Sequence, residues 1–255
     1  MVGQISLYSF DFAPAGWMFC DGTILPISEN ETLFMLLGNR FGGDGENTFA
    51  LPNIKPPAEN LHYCMSLFGN FNPNIYEAII GETMLTPAPL AKNLAPCNGQ
   101  LLPKSQYPLL NIYMGTRFGG DGSNLALPKL QSTTTGCQYM IAVQGSPPDN
   151  LGQRSPFLGE IILLPYEQPF QPLLPCNGAS LAIAENTALY NLIGFTFGGS
   201  GARFSLPNLT RLAPTGYSYY MVVQQAIFRL GVGRRSSDTP FKRSAPSRER
   251  WGVFK

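Results

Sequence analysis

The sequence predicts an α+β fold made of three small modules in tandem, each with short antiparallel strands, one short helix and long loops. Three short motifs recur in the same order along the 255 residues, at offsets of 76–77 and then 79 residues. Because order and spacing both agree, a repeat architecture has to be considered before any other. The motifs are Cys20-Asp21-Gly22, Phe41-Gly42-Gly43 and Leu51-Pro52, then Cys97-Asn98-Gly99, Phe118-Gly119-Gly120 and Leu127-Pro128, then Cys176-Asn177-Gly178, Phe197-Gly198-Gly199 and Leu206-Pro207.

The repeats divide the chain into four parts. Module one covers residues 1–68, module two 79–145 and module three 157–225, and a basic C-terminal tail covers 229–255. The modules can form a ring around a pseudo-threefold axis or a string, and the sequence leaves both arrangements open. Charged residues make up only 13 % of the chain, against about 25 % in a typical globular protein. This predicts a compact, turn-rich fold with an uncharged polar surface.

Strands are predicted at both ends of every module. The first strands follow glycines, at 3–8, 81–85 and 159–163, and closing strands are predicted at 61–65, 139–143 and 219–223. Between them, the Asp-Gly or Asn-Gly of each Cys motif predicts a two-residue hairpin, since these dipeptides readily adopt positive φ at both turn positions. The return strands of these hairpins are predicted at 24–26, 101–103 and 180–181.

One helix of about nine residues is predicted in each module. In module one, Ser28 followed by Glu31 fits a capping box, and Gly38 fits the position that ends a helix. In the other modules the corresponding start residues are Ser105 and Ala184, and the corresponding end residues are Gly115 and Gly194. A helix this short depends on tertiary packing rather than on its own propensity.

The cysteines and the glycine loops are predicted to be structural. Cys20, Cys97 and Cys176 fit small buried residues before a turn, although a bridge within a module, Cys20 to Cys64 or Cys97 to Cys137, stays open. Each Gly-Gly-Asp-Gly loop offers at most one carboxylate, whereas calcium usually takes six or more oxygen ligands. We therefore expect neither a metal nor another cofactor. The motif residues expected to be structural are Cys20, Gly22, Gly42, Gly43, Cys97, Gly99, Gly119, Gly120, Cys176, Gly178, Gly198 and Gly199.

Nothing in the sequence predicts catalysis. His62 is the only histidine, and it has no counterpart in the other modules. The chain has no phosphate-binding loop of the P-loop type and no His-Glu-x-x-His motif. Paired acidic residues such as Glu29 and Glu31 stand near a predicted helix start, where negative charge is favourable. We therefore expect a protein that is not an enzyme.

The combined motifs resemble the phage tail collar domain, which occurs in tail fibres and in bacterial proteins described as microcystin-dependent. Module one matches best, with Trp-x-x-Cys-Asp-Gly, Phe-Gly-Gly-Asp-Gly and Phe-x-Leu-Pro-Asn between residues 3 and 54. The other modules depart from the pattern, with Leu94 and Leu173 in place of Trp17 and with Ser200 in place of the loop aspartate. The resemblance implies a structural role in a fibre or tail, often with trimeric assembly, and no catalysis. The metal site that His-x-His motifs form in some short tail fibres is not implied, because this chain has a single histidine.

The tail is the part of the chain with a marked charge. Residues 1–228 contain 9 Lys and Arg against 14 Asp and Glu, whereas residues 229–255 contain 8 against 2, which gives net charges of −5 and +6. The tail can bind nucleic acid, remain solvated, or dock on an acidic neighbouring subunit. Docking suits the family best, because Arg and aromatic residues are enriched in interface hot spots. The expected interface residues are Arg234, Arg235, Arg243, Arg248, Arg250, Trp251 and Phe254.

The sequence thus predicts a non-enzymatic structural component of a phage tail, a tail-like particle or an extracellular fibre that assembles through its modules and its tail. The alternative is an adhesin or receptor-binding module that recognises a surface glycan or protein. Expected partners are further copies or other tail subunits, with a cell-surface receptor as a further option and with no nucleic acid and no membrane insertion. The first residues lack the pattern of a secretory signal, so we expect synthesis in the cytoplasm and a place in a virion or extracellular particle.

Overall fold

The structure is a computed structural model that describes residues 1–69, 77–87, 91–147, 156–167 and 172–224. Strands dominate these residues, and the three α-helices are short. None of the helices in the described ranges is long and apolar enough to cross a membrane. The predicted tail interface, from Arg234 to Phe254, lies outside the described residues.

The elements follow the same order in each module. In module one they are β1 (Ile5–Tyr8), β2 (Trp17–Phe19), β3 (Ile24–Pro26), α1 (Glu31–Leu37), β4 (Thr48–Ala50) and β5 (His62–Ser66). In module two they are β6 (Thr83–Thr86), β7 (Leu94–Pro96), β8 (Leu101–Pro103), α2 (Pro108–Met114), β9 (Asn124–Ala126) and β10 (Gln138–Ala142). In module three they are β11 (Glu160–Leu164), β12 (Leu173–Pro175), β13 (Ser180–Ala182), α3 (Thr187–Ile193), β14 (Gly199–Ser200), β15 (Arg203–Ser205) and β16 (Ser218–Val222).

Strand pairing repeats from module to module. The closing strand of each module lies between the first and second strands, as β5 does between β1 and β2. The same order holds for β10 between β6 and β7 and for β16 between β11 and β12. A second, smaller sheet joins the strands that flank the helix: β3 with β4, β8 with β9, and β13 with β15. Each module is therefore two small sheets with one helix between strands of the smaller sheet.

The three larger sheets join into one sheet of nine strands. The first strands of the modules meet there, since β1 pairs antiparallel with β11 and β11 pairs with β6. β1 and β6 also contact each other. All residues of these three strands are buried. The modules are therefore joined through their first strands and not only through the linkers between them.

Both faces of the large sheet are covered by apolar side chains. In β1, Ile5 packs with Leu33, Leu37 and other residues of the helix side, whereas Tyr8 packs on the opposite face, with Phe10 and Cys64. Side chains of successive residues in a strand point to opposite faces, so a strand that is buried throughout must be covered twice. The helix and the smaller sheet cover one face, and residues that follow the first strand cover the other.

The predicted helix caps are wrong. Ser28 lies in a 3-10 turn over Ile27–Glu29, and α1 begins only at Glu31, with Asn30 as the residue before it. The Asn30 side chain donates to the Pro26 carbonyl (3.1 Å) and makes no capping bond to α1. Ser105 likewise precedes the start of α2, where Tyr107 stands before the first helical residue. Each helix has seven residues instead of nine, and each ends at a glycine with positive φ, as expected.

The predicted hairpins are also wrong. β2 pairs with β5 and β3 pairs with β4, so the strands on either side of Cys20-Asp21-Gly22 belong to different sheets. Only the glycine of this motif has positive φ, whereas a two-residue hairpin of the predicted type needs it at both positions. The motif therefore carries the chain from the large sheet to the small one. The closing strands lie within one residue of their predicted ranges.

Candidate functional site

The Cys-x-Gly turn has the same geometry in all three modules. Asp21 Oδ1 accepts a hydrogen bond from the Thr23 backbone N–H at 3.0 Å. Asn98 Oδ1 and Asn177 Oδ1 accept equivalent bonds, from the N–H groups of the residues two positions later, at 3.0 and 3.1 Å. A side-chain oxygen that binds the backbone two residues on is the mark of an Asx turn, which either Asp or Asn can form. The following glycines have φ of 87°, 86° and 81°.

The cysteines before these turns are buried and free. Each donates its backbone N–H to a tyrosine carbonyl of the closing strand, and for Cys20 that residue is Tyr63, at 2.8 Å. Burial raises the pKa of Cys97 to about 12 and that of Cys137 to about 11. A thiol with a raised pKa is a poor nucleophile and a poor metal ligand. Neither of the two bridges that the sequence left open is present, because Cys64 is free as well.

The second glycine of each Phe-Gly-Gly loop lies against the neighbouring strand. A Cβ atom on Gly43 would be 2.5 Å from Phe49 Cα, and one on Gly120 would be 2.4 Å from the Asn124 carbonyl oxygen. One on Gly199 would be 2.5 Å from the Arg203 carbonyl oxygen. Because the clash in all three loops is with backbone, only glycine fits at this position.

The loop aspartates bind their own backbone. Asp44 Oδ1 accepts hydrogen bonds from the N–H groups of Thr48, Asn47 and Glu46 at 2.7, 2.8 and 2.9 Å. These bonds hold the pKa of the Asp44 carboxyl well below its usual value. The Asn124 side chain and nearby backbone N–H groups lower the pKa of Asp121 in the same way. Within the described ranges no group of three or more His, Cys, Asp or Glu residues is placed to hold a metal ion.

Each module reaches into one other module through the residue just before its closing strand. Leu61 of module one packs in the hydrophobic core of module three. Cys137 of module two packs against the core of module one, and Tyr217 of module three has its ring 5.4 Å from that of Phe118 in module two. The three contacts run from one to three, from three to two and from two to one. They therefore form a closed cycle.

A second set of contacts joins the same three pairs of modules. Ser9 of module one donates through its hydroxyl to the Gly159 carbonyl of module three, at 2.8 Å. The hydroxyl of Tyr166 in module three donates to the Ile80 carbonyl of module two. The guanidinium of Arg40 in module one donates to the Pro87 carbonyl of module two. Sequence reasoning missed these contacts, because none of them belongs to a repeated motif.

Three tyrosines surround the place where the first strands meet. Tyr63, Tyr139 and Tyr219 occupy equivalent positions in the closing strands and pair with Leu7, Leu85 and Leu163. They line a small cavity of about 40 Å³, together with residues of all three first strands. Burial raises the pKa of Tyr63 and that of Tyr139. A cavity this small has room for about one water molecule.

Two buried glutamates fix the turns before the first strands. Glu82 accepts a hydrogen bond from the Ile79 N–H at 3.1 Å, and Glu160 accepts one from the Phe157 N–H at 3.0 Å. Both side chains are almost fully buried. The equivalent residue of module one is Gln4, whose Oε1 lies 3.5 Å from the amino group of Met1. A Gly-Glu pair before a strand in two repeats is the signal that could have identified these residues from the sequence.

Module three has an open cavity at a place where module one carries two larger side chains. Phe19 and His62 of module one are in ring contact, with centroids 5.3 Å apart. Their equivalents in module three are the smaller Pro175 and Ser218, and both line an open cavity of about 400 Å³. Glu167, Asn177 and Thr210 supply further polar groups to its wall. The only histidine of the chain, His62, thus packs against the ring of Phe19.

Comparison with protein families gives one result. The family model of the phage tail collar domain matches the chain three times, at residues 3–56, 81–135 and 159–214. These segments cover more than half of the chain and coincide with the three modules up to the start of the closing strand. A search of curated proteins found no match, and a search of solved structures found none either.

Proposed function

The chain belongs to the phage tail collar domain family, and we propose that it is a non-enzymatic structural component of a phage tail, a tail-like particle or a related extracellular fibre. Membership of this family indicates a tail fibre component. The observation that carries the proposal further is the closed cycle of contacts among the modules. A closed cycle leaves no module with an unmatched interface, as in a closed oligomer of separate chains, and it supports a self-contained building block of such a particle.

We propose further that the modules are related by a pseudo-threefold axis, so that one polypeptide does what three identical chains do in a trimer. The meeting of β1, β6 and β11 and the equivalent tyrosines around them support this arrangement. A covalent ring also accounts for the divergence of the modules, since each meets a different neighbour. The variation at Leu61, Cys137 and Tyr217, which all reach into another module, fits that account.

Assembly between subunits is proposed to use the modules together with the basic tail. The tail residues expected to contribute are Arg234, Arg235, Arg243, Arg248, Arg250, Trp251 and Phe254. Partners are then other tail subunits or further copies of this chain, and the protein resides in the virion or particle.

Electron microscopy of the negatively stained protein tests this proposal, with the full chain compared with a chain truncated after Gly233. Filaments or rings that disappear on truncation support a self-assembling structural protein that uses its tail as a connector. Immunogold labelling of particles from the producing cells tests the location. Absence of the label from every particle, with single compact molecules in both stained samples, would rule the proposal out.

Attachment to a cell-surface glycan is the second candidate function, and the cavity of module three favours it. Its wall includes hydroxyl, amide and carboxylate groups, from Thr210, Ser218, Asn177 and Glu167, and such groups can form hydrogen bonds with a sugar. Binding of the full chain to a glycan array would support this function, with Ser218→His as the variant that narrows the cavity and His62→Ser as the matched change in module one. An array without any bound glycan would eliminate it.

A further inference from the structure

Negative charge is concentrated in one module. Module one contains 2 Lys and Arg against 7 Asp and Glu, module two 4 against 2, and module three 2 against 3. Their net charges are therefore −5, +2 and −1, while the tail over 229–255 has +6. The charge of module one is thus nearly equal and opposite to that of the tail, and neither of the other modules offers the tail a comparable partner.

The acidic side chains of module one are exposed and not in ion pairs. All seven carboxylates lie at the surface, and none is in an ion pair with a residue of the described ranges. Asp21 and Asp44 bind their own backbone, as described above. The other five remain available to a basic partner, and they are Asp11, Glu29, Glu31, Glu46 and Glu59.

A cleft next to two of these glutamates exposes an aromatic ring. It has a volume of about 280 Å³ and is lined by Glu29, Glu31, Leu67 and Phe68, among others. Phe68 is 62 % exposed. A benzene molecule fits in an enclosed cavity of about 150 Å³, so this open cleft has the room that an aromatic side chain needs. The cleft thus combines apolar contact with negative charge at its edge.

We propose that the tail of the chain folds back on module one of the same chain and docks in this cleft. Trp251 is placed against Phe68, and Arg248 and Arg250 lie near Glu29 and Glu31. Tryptophan and arginine are the residue types that contribute most to such contacts. In the tail, Arg250 and Trp251 are adjacent, so one short segment carries both a positive charge and an aromatic ring.

The tail is long enough for this contact. The chain leaves the described part after β16, which is separated from β5 by β11 and β1 in the sheet. Three strand spacings amount to about 15 Å, whereas the 31 residues from 225 to 255 extend over as much as about 100 Å. A segment tethered this closely has an effective concentration on the order of millimolar, so the contact within one chain outcompetes contact with a second chain in dilute solution.

This inference deepens the proposed function, on which it rests for its biological meaning. In the free subunit the tail covers the surface that an incoming tail would need. Connection between subunits then requires the tail to leave its own module one and dock on that of a neighbour. Assembly is in this way restrained until subunits are concentrated at the growing particle.

Carbodiimide cross-linking tests the contact, because it joins only lysines and carboxylates that touch. A mixture of nitrogen-15-labelled and unlabelled full-length chains, at low micromolar concentration, separates links within a chain from links between chains. We expect Lys242 and Lys255 to be linked to Glu29 or Glu31 within one chain, and the yield to fall several-fold at 0.5 M salt, as screening predicts. Links spread evenly over the acidic residues of all modules, or an absence of links, would contradict the proposal.

Matched variants make the test specific. Glu29→Gln together with Glu31→Gln should increase the rate of tryptic cleavage in the tail at least several-fold, and Trp251→Ala should do the same. Glu185→Gln is the control, since Glu185 occupies the position of Glu29 in module three and is also exposed. Equal cleavage rates in all four proteins would overturn the proposal. Cross-links found only between chains would also overturn the docking within one chain, but they would leave the proposed structural function intact. Absence of the protein from particles would contradict the structural function and not the docking.

Discussion

Modules one and three have the same order of strands and helix, but they differ in the side chains at one loop and at one strand end. In module one, Asp44 binds three backbone N–H groups, whereas in module three Ser200 stands at that position and forms a short strand pair with Arg203. At the strand end, Phe19 and His62 are in contact in module one, and the smaller Pro175 and Ser218 leave a cavity in module three. Apart from this short strand, the order and pairing of the strands are the same in both modules.

The comparison distinguishes residues that the fold requires from residues that can vary without changing it. What stays constant between the two modules is the glycine that lies against a strand and the apolar side chains under the helix, such as Leu33 and Leu189. The residues that differ at the loop and at the strand end are exposed or only partly buried. We expect substitutions to reproduce this order, with large and equal effects at the constant positions and small, module-specific effects at the others.

The largest effect is expected at the second glycine of the Phe-Gly-Gly loop. Gly120→Ala would place a Cβ atom 2.4 Å from the Asn124 carbonyl oxygen at a φ of 121°, so it should lower the free energy of unfolding by about 3–5 kcal/mol. Urea denaturation followed by circular dichroism measures this. Gly122→Ala is the control, because nothing lies within 4 Å of its Cβ position. Equal stability of the two variants would show that the loop adjusts to a side chain.

The second effect concerns the helix cores. Leu33 and Leu189 are almost fully buried in equivalent helices, so Leu33→Ala and Leu189→Ala should each cost about 2–5 kcal/mol. Met35→Ala, on the exposed side of the first helix, should change stability by less than about 0.5 kcal/mol, since Met35 is 77 % exposed. A single transition in the denaturation curves would show that the three modules unfold together. A cost confined to one module would contradict the equivalence of the cores.

The third effect depends on pH and distinguishes the loops. Because the pKa of Asp44 is depressed in the folded protein, its contribution to stability is fully present above the ordinary carboxyl pKa of about 3.9 and is lost as the pH falls below it. Asp44→Asn should therefore lower the urea midpoint at pH 7, and the difference from the unsubstituted protein should shrink towards acid pH. Ser200→Ala should produce no such pH dependence. A difference for Asp44→Asn that is constant between pH 7 and pH 3 would argue against the backbone bonds as its cause.

The smallest effect is expected at the strand end of module three. Ser218→His restores the side chain that module one has at this position, and the cavity of about 400 Å³ has room for it. The free energy of unfolding should change by less than about 1 kcal/mol, because the position lies at an open cavity and not in a packed core. Thermal denaturation is sufficient to measure this. A large loss of stability would mean that the cavity is shaped by more than the two substituted residues.

The repeat, the first and closing strands, the helix of each module and the burial of the motif cysteines followed from the sequence, because each motif occurs three times. The strands before the Leu-Pro motifs, such as Thr48–Ala50, were not predicted. The hairpin prediction was wrong. Asp-Gly favours a tight turn locally, but the strand before it, β2, pairs with β5 and the strand after it, β3, pairs with β4, so the two strands belong to different sheets. The serine cap failed for a related reason: a 3-10 turn over Ile27–Glu29 occupies the residues where the helix was expected to begin. The contacts of Leu61, Cys137 and Tyr217 had no sequence signal, because they depend on which module lies next to which.

The pairing of β1 with β11 has a consequence for how the protein is made. One edge of β1 receives β5 early, but the other edge receives a strand that begins more than 150 residues later in the chain. At ribosomal rates of about 5–20 residues per second, that edge waits roughly 10–30 s for its partner. During this interval it is an open template for any other strand, including β11 of a chain on the next ribosome. The spacing of ribosomes on the messenger RNA is thus expected to influence whether the nine-stranded sheet forms within one chain or by exchange of strands between chains.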